Sequence, residues 1–235
     1  MKTQKMITGF LLVAAPILFM GAFTFLQIKF EYPDILRKPA GYVLERFALG
    51  GSGLVVNWYA MLFSALLFIT IAVLLHPFLA GERKWYLPLA TTLGVLAGVV
   101  QMLGFARWPF LIPALAVAYL EPTAVAGAAA SETMRETISM VFLAFNQYAG
   151  VGIGEHLGYT FTALWGLLIG LAMLDSVVFP RWLGWVGILS SLGILAGVLE
   201  PAGVAWVGSV NAIAYIFWTL WLLAAGVFLM KKTIK

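Results

Sequence analysis

The word Gly154-Glu155-His156-Leu157-Gly158-Tyr159 sets a carboxylate beside an imidazole at the head of a long apolar run. Such a pair could do acid–base work, because a surrounding pocket can tune either group. Adjacent residues on a helix point about 100° apart, so the two need not act on one substrate. Just upstream stands Asn146-Gln147-Tyr148, and an earlier apolar run closes on Ala106-Arg107-Trp108-Pro109. Glu155, His156, Tyr159 and Arg107 are the residue types that would orient the polar end of a bound molecule. Trp108 and Tyr148 would stack beside it, and Asn146 and Gln147 complete the candidate ligand-binding set. The alternative is structural, with Glu155 pairing with Arg107 or Arg37 and His156 capping a helical bundle. No residue is assigned a catalytic role on these grounds.

Other chemistries find little footing. The chain has no cysteine, which removes disulfides, thiolate metal sites and thiol redox chemistry. Its two histidines, His76 and His156, fall at opposite ends of their apolar runs, so no shared metal or haem is expected and no cofactor is assigned. Neither a Ser-x-x-Lys nor a Gly-x-Ser-x-Gly word occurs, so a serine nucleophile has no positive signal. Gly150-Val151-Gly152-Ile153-Gly154 follows no strand and is not a nucleotide loop.

The elements that must position these residues are membrane spans. The sequence is 63% hydrophobic and 10% charged, with a mean hydropathy of +0.99. Apolar runs of roughly 20 residues match a hydrocarbon core of about 30 Å. Six occur: Met6 to Lys29, Leu54 to His76, Tyr86 to Phe105, Gly154 to Val178, Trp182 to Leu199 and Val204 to Met230. They are continuously apolar, without the alternation of a transmembrane barrel. The expected fold is all-α, one integral membrane domain over residues 1–235, with six transmembrane helices and short extra helices on the outer side.

Charge sets the expected orientation. With both termini cytoplasmic, the inner segments hold Lys2, Lys5, Arg83, Lys84, Arg181, Lys231, Lys232 and Lys235, and the outer ones Lys29, Arg37, Lys38, Arg46, Arg107 and Arg135. The basic excess is therefore inside, as the positive-inside rule requires. The net charge of +4 needs no nucleic-acid partner, since anionic inner-leaflet lipids attract that excess. Lys2 and Lys5 precede a run too long for a signal-peptide core, so it reads as a retained span. Trp85, Trp182 and Trp185 are expected in an inner interfacial belt and Trp58, Trp108 and Trp206 in an outer one, while Trp165, Trp218 and Trp221 lie deeper.

Two connections are long. In the first, Pro39 and Gly50-Gly51 bracket a short helix from about Pro39 to Leu49, with Val43, Leu44 and Phe47 on one face. It is either a lid or an ordinary interfacial connector. In the second, Pro109 and Pro113 interrupt the start, Phe110 to Tyr119 is too short to span and is expected to form a short helix in or on the membrane, Ala124 to Ala130 reads as a small-residue linker, and Ser131 is expected to cap a helix running to about Tyr148. Gly150, Gly154, Gly158, Thr162, Gly166 and Gly170 recur every fourth residue and predict a smooth stripe for close helix packing, with a homo-oligomer interface as its second use. Asn57, Gln101, Asn211 and Tyr215 are polar residues within spans, suited to hydrogen bonds between helices or to a shared polar cavity.

The words Tyr32-Pro33-Asp34-Ile35-Leu36-Arg37, Arg107-Trp108-Pro109-Phe110, Asn146-Gln147-Tyr148-Ala149-Gly150 and the Glu-His word itself give the chain a further character. It resembles an uncharacterised family of bacterial multi-pass membrane proteins catalogued as a domain of unknown function. The resemblance covers nearly the whole chain and implies a single helical domain in a bacterial plasma membrane. It supplies no activity and no catalytic residue. The expected partners are membrane lipids and a small amphiphile held in an outward-facing pocket, with a membrane enzyme on a lipid or isoprenoid as the alternative and a transporter, for which no repeat is seen, behind both.

Overall fold

Six stretches long and apolar enough to cross a bilayer become helices, because lipid leaves the backbone no partner but itself. The computed structural model describes residues 2–80, 84–121 and 128–232. Among them the order is α1 (Lys2–Phe30), α2 (Ala40–Leu79), α3 (Leu87–Phe110), α4 (Ile112–Leu120), α5 (Ala128–Phe145), a π-helical segment (Asn146–Leu157), α6 (Gly158–Leu174), α7 (Arg181–Ala196) and α8 (Val207–Lys231). Short 3₁₀ turns occupy Asp34–Arg37 and Gly197–Ala202. No strand occurs among the described residues, so the all-α expectation holds. Glu82, Arg83, Lys235 and the linker at 124–127 lie outside the described residues.

The two short helices expected in the long connections are present, with differences that have local causes. The one beginning near Pro39 is the first part of α2, which passes into the second span through Gly51 at φ 54°, ψ −150°. Only glycine takes that conformation without strain, so Gly51 is the elbow. The other is α4, with Pro113 in its first turn. Ser131 is not a cap: α5 already runs from Ala128, and Ser131 lies inside it. The fourth span is not one regular α-helix either, since Asn146–Leu157 is π-helical before α6 resumes the ordinary winding.

The chain forms two compact units. The first comprises Met1–Ile17, Ser64–Val100 and His156–Lys235. Its core gathers Leu12, Phe68, Leu75, Ile169, Leu183 and Leu229 around Trp165, Trp218 and Trp221. Each of these indoles meets a glycine of a neighbouring helix. A methyl group on Gly94 would stand 2.7 Å from Trp165 Nε1, one on Gly187 2.9 Å from Trp221 Nε1, and one on Gly166 3.1 Å from Trp218 Nε1. Missing side chains on one helix thus make room for the largest side chains on the next. Asn211 donates to Ile194 O at 2.9 Å and His76 Nδ1 lies 2.8 Å from Thr91 Oγ1, both tying adjacent helices. Lys84 donates to Ala172 O at 2.7 Å near the end of α6, and burial holds its pKa below the ordinary lysine value.

The second unit comprises Leu18–Phe63 and Gln101–Glu155. Its core runs through Leu26, Phe30, Ile35, Val43, Leu44 and Phe47 to Trp58, Trp108 and Ile112. Val43, Leu44 and Phe47 do share one buried face, and it belongs to this core. Asn57 donates to Ala22 O at 3.0 Å, joining α2 to α1.

Gly158, Thr162, Gly166 and Gly170 are all buried along α6, so this part of the stripe is occupied by the chain's own helices. At Gly170 an added methyl would stand 2.9 Å from Gly184 O and from Ile188 N, main-chain atoms that cannot swing aside. Gly170→Ala is expected to lower unfolding free energy in detergent by about 1–3 kcal/mol. Gly21→Ala, where nothing lies within 4 Å, should leave it unchanged or raise it slightly. Thermal unfolding of the two variants beside the wild type checks the pair.

Candidate functional site

Arg107 stands near the end of α3, a helix with no other charged residue, and is only 8% exposed. A guanidinium so placed needs compensation for its lost hydration. It donates through Nη1 to Gly104 O, one turn back on its own helix, and through Nη2 to Asn146 Oδ1 at 3.2 Å. Its Cζ lies 5.1 Å from the centre of the Trp108 ring, where the π face offers further stabilisation. Glu155 and Tyr32 are within electrostatic reach of it.

The π-helical segment makes that arrangement possible. Asn146, Gly150 and Gly154 follow at intervals of four, and each meets α3. Asn146 accepts from Arg107, and a methyl on Gly150 would stand 2.6 Å from Arg107 Nη2. One on Gly104 would stand 2.7 Å from Gly154 Cα, so these two backbones touch directly. π-Helical turns are uncommon and recur at functional sites. This one brings the Asn-Gln-Tyr word and Glu155 onto a single element.

An aromatic stack supports the guanidinium from the other side. Trp108 lies flat on Trp58, with ring centres 4.7 Å apart and planes within 6°. Phe47 stacks on Trp108 at 5.9 Å, and Phe30 meets its edge at 5.2 Å. Trp58 and Trp108 are fully buried, so neither belongs to an interfacial belt as their position near span ends suggested. Trp85, Trp182, Trp185 and Trp206 are more than half exposed, as belt residues are. The indole nitrogens of Trp58 and Trp108 are buried and donate to no atom of the described residues.

Of the residues expected in the site, the second unit brings together Arg107, Trp108, Asn146 and Glu155, with Glu155 half-buried. Gln147 is exposed and Tyr148 is 72% exposed, so neither contributes a buried wall. His156 and Tyr159 are half-buried members of the first unit, where Tyr159 packs against Tyr215 at 5.8 Å. Arg37 pairs with Asp34 at 3.7 Å on an exposed turn. The residue missed from the set is Tyr32. It sits between α1 and α2, edge-on to Trp58 at 5.4 Å. Its word was conspicuous in the sequence, but nothing in one chain could pair it with Arg107 and Glu155 more than seventy positions on. Among the described residues no three His, Asp or Glu side chains gather as a metal set.

Six apolar helices with polar residues concentrated near the ends of a few of them define a multi-pass helical membrane protein. A family model described as a domain of unknown function, DUF4386, matches residues 7–226, and the chain belongs to that family. Comparisons with curated proteins and with solved structures give no match.

Burial of the Tyr32 hydroxyl, reinforced by the Glu155 charge and opposed by Arg107, pushes its pKa from 10.0 up to about 12. The folded protein thus favours the protonated phenol. The stability tied to that proton is fully present below pH 10 and is lost as the pH rises through about 12. The ultraviolet tyrosinate titration of wild type minus Tyr32→Phe should show one phenol ionising near 12, and removing the neighbouring charge with Glu155→Gln should move it downward.

Proposed function

We propose that this protein is a membrane binding protein that holds a small amphiphile or lipid by its polar end at the cluster of Tyr32, Arg107, Asn146 and Glu155. The observation that carries this reading is the buried guanidinium of Arg107 on an apolar helix, held by Asn146 from a π-helical segment. A charge inside a membrane segment is costly enough that a role for it is the default reading. The cluster offers both signs of charge, a phenol and an amide. That set suits a zwitterionic or hydroxyl-rich head better than a bare anion. The indole N–H groups of Trp58 and Trp108, which donate to no atom of the described residues, supply further donors, and Tyr148 supplies an exposed ring on the π-helical segment. His156, Tyr159 and Gln147 belong to the same reading as the residues that continue or precede Glu155 in the chain. In the expected orientation, with both termini inside, the cluster lies toward the outer side of a bacterial plasma membrane.

A second reading is favoured by one observation, the Glu155 carboxylate within electrostatic reach of the Tyr32 phenol and the Arg107 guanidinium. It is a membrane enzyme acting on a lipid or isoprenoid, with Glu155 or His156 as the acid–base group. A pH–rate profile that survives both Glu155→Gln and His156→Ala removes it.

Native mass spectrometry of gently solubilised wild type beside Glu155→Gln tests the binding reading, with thermal stability followed in parallel. A discrete adduct on the wild type that is lost from an equally stable variant is the expected result. Equal adducts, or bare protein in both, would make the cluster a structural latch and remove the proposal.

A further inference from the structure

The elbow of α2 creates a second feature, separate from the Arg107 cluster. Where the helix turns at Gly51 it leaves a groove of about 260 Å³ against the last turns of α1, lined by Phe25, Lys29, Arg46, Leu49, Gly50 and Leu54. One wall is apolar and open to the surroundings, with Phe25 38% and Leu49 79% exposed. The other is cationic. Arg46 gives Nη2 to Glu31 at 3.0 Å, while its Nε is buried and bonds to nothing among the described residues. Glu31 is held in place by a second donor, the Tyr42 hydroxyl at 2.8 Å. Lys29 is exposed in the last turn of α1 and has no ion-pair partner among the described residues. Arg46 and Glu31 offset one another, and Lys29 leaves the groove one net positive charge.

The geometry points to an anionic phospholipid as the occupant, its phosphate between Lys29 and the Arg46 guanidinium and an acyl chain along Phe25 and Leu49. Three features favour a lipid over a soluble anion. The groove lies at the end of a span, where a lysine reaches along its stem toward headgroups. Its apolar wall continues the exposed apolar surface of α1, where Ile28 is 69% exposed. Its volume suits a headgroup and is small for a whole drug-sized molecule. In the orientation expected from charge, this leaflet is the outer one.

Purified protein in detergent, titrated with dioleoyl phosphatidylglycerol, dioleoyl phosphatidylcholine or inorganic phosphate and read by native mass spectrometry, tests the proposal. The wild type should keep one phosphatidylglycerol under conditions that strip phosphatidylcholine. Lys29→Gln, which breaks no contact in the fold, should weaken that retention roughly fivefold at an unchanged thermal midpoint. Arg46→Lys, which keeps the charge but loses the planar guanidinium fork that suits a phosphate, should weaken it as well. Glu155→Gln should retain it, which separates this groove from the amphiphile site. Equal retention of the two lipids, or retention indifferent to Lys29→Gln, overturns the proposal. So does loss in Glu155→Gln alone, or displacement by inorganic phosphate as effective as by lipid.

Discussion

Helices in a bilayer gain nothing by hiding apolar side chains from one another, because lipid tails are as apolar as leucine. What holds them is contact close enough for dispersion and main-chain polar atoms to count, and in this protein glycine sets that distance. Gly170 of α6 lies against the main chain of α7 at Gly184 and Ile188, and Gly9 of α1 lies against Gly226 of α8. The same constraint explains the tryptophans of the first unit. Trp165, Trp218 and Trp221 are buried because Gly94, Gly166 and Gly187 leave hollows facing them. Adding a side chain on one partner would require removing bulk from the other.

The second unit obeys the same rule but encloses charge. Gly104 and Gly154 bring α3 and the π-helical segment into backbone contact, and Gly150 leaves space for the guanidinium beside them. In that close approach Asn146 lies within hydrogen-bonding distance of Arg107. The Trp58–Trp108 stack closes the apolar side of this cluster. A buried arginine with a phenol, an amide and a carboxylate around it is the feature of this molecule least explained by packing alone.

Much was legible in the sequence. Apolar runs of the right length located all six spans, since hydrocarbon thickness fixes the number of residues needed to cross it. Pro39 with Gly50-Gly51, and Pro113 after Pro109, marked the short helices, because those residues act through their own backbone geometry. The four-residue repeat of α6 predicted a packed face for the same reason. Less legible were features set by a partner distant in the chain. Ser131 looked like a cap by type, yet α5 begins before it. Trp58 and Trp108 looked interfacial by position, yet both are buried in the core of the second unit, stacked on one another and against Phe30 and Phe47 or Tyr32.

The sequence by itself determined a helical membrane protein with its polar residues gathered near span ends, because composition and periodicity are local properties that a bilayer reads directly. Tertiary structure alone decided which of those residues meet. The π winding between Asn146 and Leu157 is encoded by no residue type, and the segment that adopts it lies against Gly104 and Arg107. It placed Asn146 on the guanidinium and left Gln147 and Tyr148 exposed. It also brought Glu155 within reach of Tyr32, a pairing fixed by the close approach of helices far apart along the chain.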